Sequence, residues 1–250
     1  MSGHSKWANI KHKKMASDAK KGQIFSKIAK EIMITVRGGG ADPASNITLR
    51  QLIQKARQSN MPVENVERAI KRGTGELEGE ALEEASYEAF GAGGVQLVIQ
   101  VLTNNRNRTS ADVRHTLGKH GGNIATQGSV LRSFKRKGQI LIESDKVAED
   151  KLMDLALEAG AEDMQNEDGV YDIIAEPNQF MTVVEAINKA GIPMIESEIK
   201  MLPDSYMPIS NKDQAKQLLA LVDALEELDD VQNVYSNFDI EDSVLAEITK

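Results

Sequence analysis

The 250-residue sequence contains no cysteine, four histidines and only 4% aromatic residues. Without cysteine the chain forms no disulfide, no thiolate nucleophile and no cysteine-ligated zinc or iron–sulfur site. It has no apolar run of the ~18 residues that a membrane-spanning helix needs, and no apolar signal segment follows Met1. We therefore expect a cytoplasmic protein with no membrane partner. Its length favours two or three domains.

Known patterns for metal binding and catalysis are also missing. His115 and His120 lie five residues apart, and neither they nor His4 and His12 have the spacing of a zinc-binding helix. The glycines at 91–94 lack the lysine and hydroxyl residue of a phosphate loop, and no serine has a Gly-x-Ser-x-Gly setting. The sequence predicts no catalytic residue, no metal and no cofactor.

The charges that are present are distributed unevenly. The chain has 30 Lys and Arg against 38 Asp and Glu, a net charge of −8 at pH 7. Residues 1–75 hold 15 basic and 5 acidic side chains, and residues 106–137 hold eight basic and one acidic. Residues 139–250 hold 7 basic and 26 acidic. Cationic segments in an acidic protein indicate a polyanion-binding face, because neutralised phosphates release counterions; the alternative is a solvated charged surface.

Two groups of side chains are therefore candidates for binding nucleic acid. The first group is Lys6, Trp7, Lys11, His12, Lys13, Lys14, Lys20, Lys21, Lys27, Lys30 and Arg37. The second group is Arg106, Arg108, Arg132, Lys135, Arg136 and Lys137. Trp7 either stacks on a base or caps the helical core. Arg106 and Arg108 either bind phosphate with their forked guanidinium groups or pair with carboxylates of the acidic part of the chain.

The first 75 residues are expected to fold as helices. Over 17–36 the apolar residues from Ile24 onward, except Ile34, share one half of a helical wheel, opposite Lys20, Lys27 and Lys30. The glycines at 38–40 should end this helix. A second helix is predicted over 46–59, and a third from Pro62 to just before Gly73.

Beyond residue 82 the pattern changes to strands and helices. Strands are predicted over 86–90 and 95–103, followed by a helix that Thr109 caps and that ends near His120. Arg106 and Arg108 would then precede that helix, where unpaired backbone N–H groups attract anions.

A compact unit of six elements follows, with the order strand-helix-strand-strand-helix-strand of the split ferredoxin-like arrangement. Its strands are predicted over 139–143, 162–167, 170–175 and 194–201, with helices over 147–159 and 179–190. A last helix opened by Ser210 and a strand over 231–238 follow.

That last helix and strand have no partners of their own, so we expect them to return to the sheet that begins at Ser86. The predicted fold class is α+β and multidomain: an N-terminal helical domain followed by two ferredoxin-like domains, one inserted in the other. The predicted domains are 1–75, 83–136 plus 204–240, and the inserted 138–201.

Five segments resemble those of the YebC family, and the likeness extends over essentially the whole chain. They are Gly3 to Ile10 (GHSKWANI), Gly22 to Lys27 (GQIFSK), Gly38 to Gly40, Asn104 to Thr109 (NNRNRT) and Gly121 to Asn123. The resemblance implies a three-domain cytoplasmic regulator without enzymatic activity, described as a DNA-binding transcriptional regulator. Relatives, including a mitochondrial translational activator of cytochrome c oxidase, are associated instead with the ribosome and with relief of stalling at proline-rich stretches.

The leading hypothesis is a nucleic-acid-binding regulator of gene expression whose partner is DNA. The alternative partner is ribosomal RNA on the ribosome, which would make the protein a translation factor. A third hypothesis, from another class, is a small-molecule-binding or enzymatic module, since ferredoxin-like sheets carry both functions.

Overall fold

The computed structural model describes residues 18–78, 81–167 and 169–248. Among these residues, three helices come first and an α+β region follows. The helices are α1 (Asp18–Gly39), α2 (Ile47–Gln58), α3 (Val63–Thr74), α4 (Arg106–Lys119), α5 (Glu149–Glu158), α6 (Phe180–Lys189), α7 (Lys212–Glu226) and α8 (Asp242–Ile248). The strands are β1 (Glu83–Phe90), β2 (Gln96–Thr103), β3 (Asn123–Ile124), β4 (Phe134–Glu143), β5 (Ala161–Glu167), β6 (Val170–Ala175), β7 (Glu196–Pro203), β8 (Met207–Ile209), β9 (Val231–Ser236) and β10 (Phe238–Ile240).

The first three helices pack around the apolar stripes that the sequence predicts. Ile28, Ile32 and Val36 of α1 are buried against Leu49 and Leu52 of α2 and residues of α3. The side chain of Asn46 accepts a hydrogen bond from the backbone N–H of Leu49 at 3.1 Å and so caps α2. The three predicted helices of this region are confirmed.

One predicted helix end is wrong. Helix α1 ends at Gly39, within the glycines at 38–40 that were predicted to end it, whereas α3 includes Gly73, ends at Thr74 and is followed by Gly75, which has a left-handed φ of 83°. Gly73 is buried against α1, and a Cβ atom there would lie 2.8 Å from Cβ of Val36. A glycine lets the two helices approach this closely, which offsets its low helix propensity.

The first sheet has the order β3-β1-β2-β9 and is antiparallel throughout. The return of β9 to this sheet confirms the expectation that the last strand completes it. Like a ferredoxin-like sheet it has four antiparallel strands, but the first strand in the chain, β1, lies between β2 and β3, so the order along the chain differs from that of the inserted sheet. Helices α4 and α7 cover one face, where Leu97 and Ile99 of β2 pack against Val113 and Leu218. The pair β8 and β10 forms a separate two-stranded parallel sheet.

The inserted sheet has the order β5-β6-β4-β7, also antiparallel, which is the ferredoxin-like order that the sequence predicts. Ile140 and Ile142 of β4 are buried against Leu152 of α5 and Phe180 of α6. The fold class is therefore confirmed: helices first, then two ferredoxin-like sheets, one inserted in the other. The residue boundaries of the three domains stay a prediction.

The two sheets contact each other through a small apolar cluster. Val98 of β2 points away from the helices of its own sheet and packs with Val130 and Phe134. The loop that carries Val130 is tied to β1 by Glu88, whose carboxylate accepts hydrogen bonds from the backbone N–H groups of Gly128, Val130 and Leu131. Burial alone raises the pKa of Glu88, but these three donors outweigh burial and lower it. The segment that leads into β4 is therefore anchored to the first sheet.

The start of α4 differs from the prediction. Asn105 caps this helix by accepting a hydrogen bond from the N–H of Arg108, so α4 begins at Arg106 rather than after Thr109. Asn105 is as good a cap as threonine and comes four residues earlier. Arg106 and Arg108 consequently lie inside the first turn, and Thr109 is buried. In the same way α7 is capped by Asn211 rather than by Ser210.

One glycine of β4 gives a direct test of the inserted core. A Cβ atom at Gly138 would lie 2.7 Å from Cγ of Phe180, inside van der Waals contact. We expect Gly138→Ala to lower the free energy of unfolding by about 1–3 kcal/mol, because the packed ring has to move. In the matched control, Gly118→Ala in α4, the new methyl group meets open space, so this change should stabilise the protein by about 0.5–1 kcal/mol. Thermal denaturation measures both; equal melting temperatures would contradict the tight contact.

Candidate nucleic-acid interface

The predicted cationic residues fall into three structural groups. Lys6, Trp7, Lys11, His12, Lys13 and Lys14 lie outside the described residues, as does the side chain of Lys20. The other residues of the first group lie on α1, and those of the second group lie at the start of α4 and around the start of β4. Which of them bind nucleic acid stays a prediction, but the structure shows which of them already have partners.

The cationic face of α1 lies against the C-terminal end of α7. Lys27 Nζ donates to the carbonyl oxygen of Glu226 at 2.7 Å, and Lys30 Nζ donates to that of Asp229 at 2.9 Å. Gln23 donates to the carbonyl of Glu227 at 2.7 Å. The last carbonyls of a helix have no partner within it and carry partial negative charge, so they are good acceptors for lysine.

Asp230 is the centre of this contact. Its Oδ1 accepts from Lys30 at 2.9 Å, and its Oδ2 accepts from Arg108 and from the hydroxyl of Thr109, both at 2.7 Å. The hydroxyl of Thr103 at the end of β2 adds a fourth donor at 3.1 Å. Asp230 is only 8% exposed, and it joins α1, α4 and β2 through one carboxylate.

The charge state of Asp230 follows from this environment. Burial by itself raises the pKa of the carboxyl group, but hydrogen bonds from Arg108, Thr109 and Lys30 outweigh burial and hold the pKa well below its usual range. The group is therefore ionised at neutral pH. Lys30 and Arg108, which the sequence proposes as phosphate ligands, share this carboxylate.

Other predicted residues are also in ion pairs. Arg106 pairs with Glu83 at 3.0 Å and Lys135 with Asp204 at 2.9 Å, both in exposed positions where such pairs are weak. Lys137 lies between Glu162 and Glu176, at 2.6 and 2.5 Å. For Arg106, pairing with a carboxylate is the alternative to phosphate binding that the sequence leaves open.

Arg37, Arg132 and Arg136 remain exposed. Lys21, near the start of α1, is also exposed.

A further set of cations, on α2 and α3, was not among the residues predicted from the sequence. These residues are exposed, and they form no ion pair with any residue that the structure describes. They are Arg50, Arg57, Arg68, Lys71 and Arg72. Their signal was present in the sequence, since they account for a third of the basic residues of the cationic segment and fall outside the apolar stripes of their helices.

A second contact joins the helical unit to the inserted sheet. Lys55 of α2 lies 3.7 Å from Glu31 of α1 and 3.8 Å from Glu198 of β7. Burial lowers the pKa of Lys55, but the attraction of Glu31 and Glu198 exceeds that effect and raises it. Burial raises the pKa of Glu198, against the attraction of Lys200. Lys55 is therefore charged and occupied by internal partners, unlike Arg50 and Arg57 of the same helix.

The described residues have neither a candidate metal cluster nor a candidate membrane span. Across 18–78, 81–167 and 169–248, the His, Asp and Glu residues make no group of three that could hold a metal ion. Within the same residues, no helix has the length and apolar character to cross a membrane.

The fold and the charge distribution define a class of protein: a basic three-helix unit attached to two ferredoxin-like sheets in an acidic body. Two family models match the chain. Residues 5–76 match the TACO1/YebC protein N-terminal domain, and residues 82–238 match the TACO1/YebC second and third domain. The chain belongs to the TACO1/YebC family.

Similar proteins support this assignment over the full length. A protein of Halothermothrix orenii is 51% identical over 253 aligned positions, covering 100% of both chains, and one of Syntrophobacter fumaroxidans is 48% identical, covering 99% of this chain and 100% of its own. Both are named "Probable transcriptional regulatory protein". The crystal structure of a conserved hypothetical protein from Aquifex aeolicus has a TM-score of 0.81 and 44% identity, over 90% of this chain and 93% of that one. These two relatives are thus named for regulation and not for a reaction.

Proposed function

We propose that this protein is a non-enzymatic regulator of gene expression that binds the sugar-phosphate backbone of nucleic acid in the cytoplasm, with duplex DNA as its target. The observation that carries the proposal is the set of exposed cations on α2 and α3 that have no partner among the described residues: Arg50, Arg57, Arg68, Lys71 and Arg72. Side chains of this kind gain the most binding free energy from a phosphate, because no carboxylate of the described residues has to be displaced first.

The charge of the remaining chain favours a defined orientation on the target. Residues 139–250 hold 26 acidic side chains against 7 basic ones, and such a surface is repelled by phosphates. A polyanion is therefore directed towards the helical unit. The names of the two relatives support regulation.

Binding measured across a salt series tests the proposal. We expect affinity for fluorescent duplex DNA to fall linearly on a double logarithmic plot against salt, with a slope of roughly −0.9 for each phosphate neutralised. Sedimentation with purified ribosomes over the same salt range identifies the alternative partner, a translation factor's target. Absence of binding to both at low salt would contradict the proposal.

A further inference from the structure

The contact between α1 and the end of α7 is polar. The segment 226–230, which we call the acidic turn, contains Glu226, Glu227, Asp229 and Asp230 among its five residues. It receives the side chains of Gln23, Lys27 and Lys30 through the hydrogen bonds and the ion pair given above.

No hydrophobic cluster of the described residues joins the helical unit to the rest of the protein. The cluster around Ile32 draws its members only from residues 24–82, whereas the other clusters begin at Ala85 or later. The second contact, at Lys55, is also built on charges. Interfaces held by polar contacts separate more readily than apolar ones, and their ion pairs weaken with salt.

The acidic turn presents to α1 the same kind of groups as a nucleic-acid backbone. Oxygen acceptors face Lys27 and Lys30 at hydrogen-bonding distances of 2.7–2.9 Å, and the carboxylates of the turn add net negative charge beside them. A phosphate chain that approaches this face of α1 meets lysines that already have acceptors. It is also repelled by the negative charge of the acidic turn.

We propose that the docking of α1 on the acidic turn is an autoinhibitory contact: oxygen atoms of the turn hold Lys27 and Lys30 in the place of a nucleic-acid backbone, and nucleic acid gains this face of α1 by displacing the turn. The inference rests on the proposed nucleic-acid binding and adds its regulation. The undocked state binds more tightly, and the docked fraction lowers the apparent affinity in proportion to its population.

Because the sequence contains no cysteine, a thiol-specific crosslinker reacts only with cysteines that are introduced. The variant Gln23→Cys/Glu227→Cys places two thiols at the contact, since the Gln23 side chain and the Glu227 backbone are hydrogen-bonded. A short bismaleimide with an internal disulfide joins them and is cleaved by reductant. The matched control is Lys212→Cys/Glu247→Cys, which replaces an exposed ion pair of 2.9 Å between α7 and α8, away from the cations of the helical unit.

Affinity for fluorescent duplex DNA and for purified ribosomes is measured before bridging, after bridging and after cleavage. We expect bridging at 23 and 227 to lower the affinity about tenfold, with recovery on cleavage, because the docked state can no longer open. Bridging at 212 and 247 should change nothing. Equal affinity of the bridged and cleaved 23/227 protein would overturn the inference alone, whereas no binding by wild-type protein at low salt would overturn the proposed function itself.

The rate of bridging gives an independent readout of opening. We expect saturating duplex DNA, or ribosomes, to slow bridging of the 23/227 pair severalfold and to leave the 212/247 pair unaffected. If the bound nucleic acid leaves both rates unchanged, the turn is not displaced on binding and the inference is wrong.

Discussion

Replacing three exposed arginines of the helical unit by glutamate is expected to lower nucleic-acid affinity about 100-fold or more at low salt. The variant is Arg50→Glu/Arg57→Glu/Arg68→Glu, which changes positions that form no ion pair with the described residues. Each lost phosphate contact should also reduce the magnitude of the salt slope by about 1. Arg50 and Arg57 are two turns apart on α2, so one face of that helix loses both of its cations.

The matched control changes the same amount of charge elsewhere. Lys151, Lys189 and Lys216 are exposed on α5, at the end of α6 and on α7, and they too form no ion pair with the described residues. Their replacement by glutamate should lower affinity far less, because only the long-range field changes. Helix content, followed by circular dichroism, should stay the same in both proteins, since exposed substitutions cost little stability. Equal losses in the two variants would show that total charge and not the α2–α3 surface determines binding.

Asp230→Ala is expected to produce the largest loss of stability. The substitution leaves Lys30, Arg108 and the hydroxyls of Thr103 and Thr109 without their shared acceptor. Breaking a fully buried pair costs about 3–5 kcal/mol, and the half-exposed Arg108 reduces this to about 2–3 kcal/mol. The melting temperature should fall by about 5–10 °C. Asp229→Ala is the control, because only its backbone carbonyl takes part and its side chain is exposed.

The effect of Asp230 should also depend on pH in one direction. The folded-state pKa of Asp230 is lowered, so its stabilisation is present above the unfolded-state value of about 3.9. It is lost as pH falls through the folded-state pKa. Wild-type protein and Asp230→Ala should therefore differ most near neutral pH and converge in acid. A difference in melting temperature that is constant down to strongly acidic pH would contradict the assigned role of the carboxylate.

Local patterns predicted most of the elements. The spacing of Leu49, Leu52 and Ala56 predicted α2 because three apolar residues on one face need a common core. The order of elements predicted the inserted ferredoxin-like sheet because few topologies accommodate it. The errors arose where local signals compete: Asn105 and Thr109 are both good helix caps, and Gly73 is unfavourable in a helix until α1 packs against it.

The candidate site was harder to predict. Lys27 and Lys30 lie opposite the apolar stripe of α1, and that pattern is the same for a lysine in solvent and for a lysine that contacts another domain. The acidic turn lies about 200 residues further along the chain, where no periodicity links it to α1. The sequence could have identified the cations of α2 and α3 as candidates, but not that they form no ion pair with the described residues.

By itself the sequence determined the helical first third, the α+β remainder, the exclusion of thiol chemistry and the separation of basic from acidic segments. Each of these depends on residue types and on spacings within a single element. Only the tertiary structure decided which positive charges are available to a ligand, because an ion pair such as Lys30–Asp230 requires distant parts of the chain to meet. That meeting depends on the packing of whole domains, which local preferences do not encode.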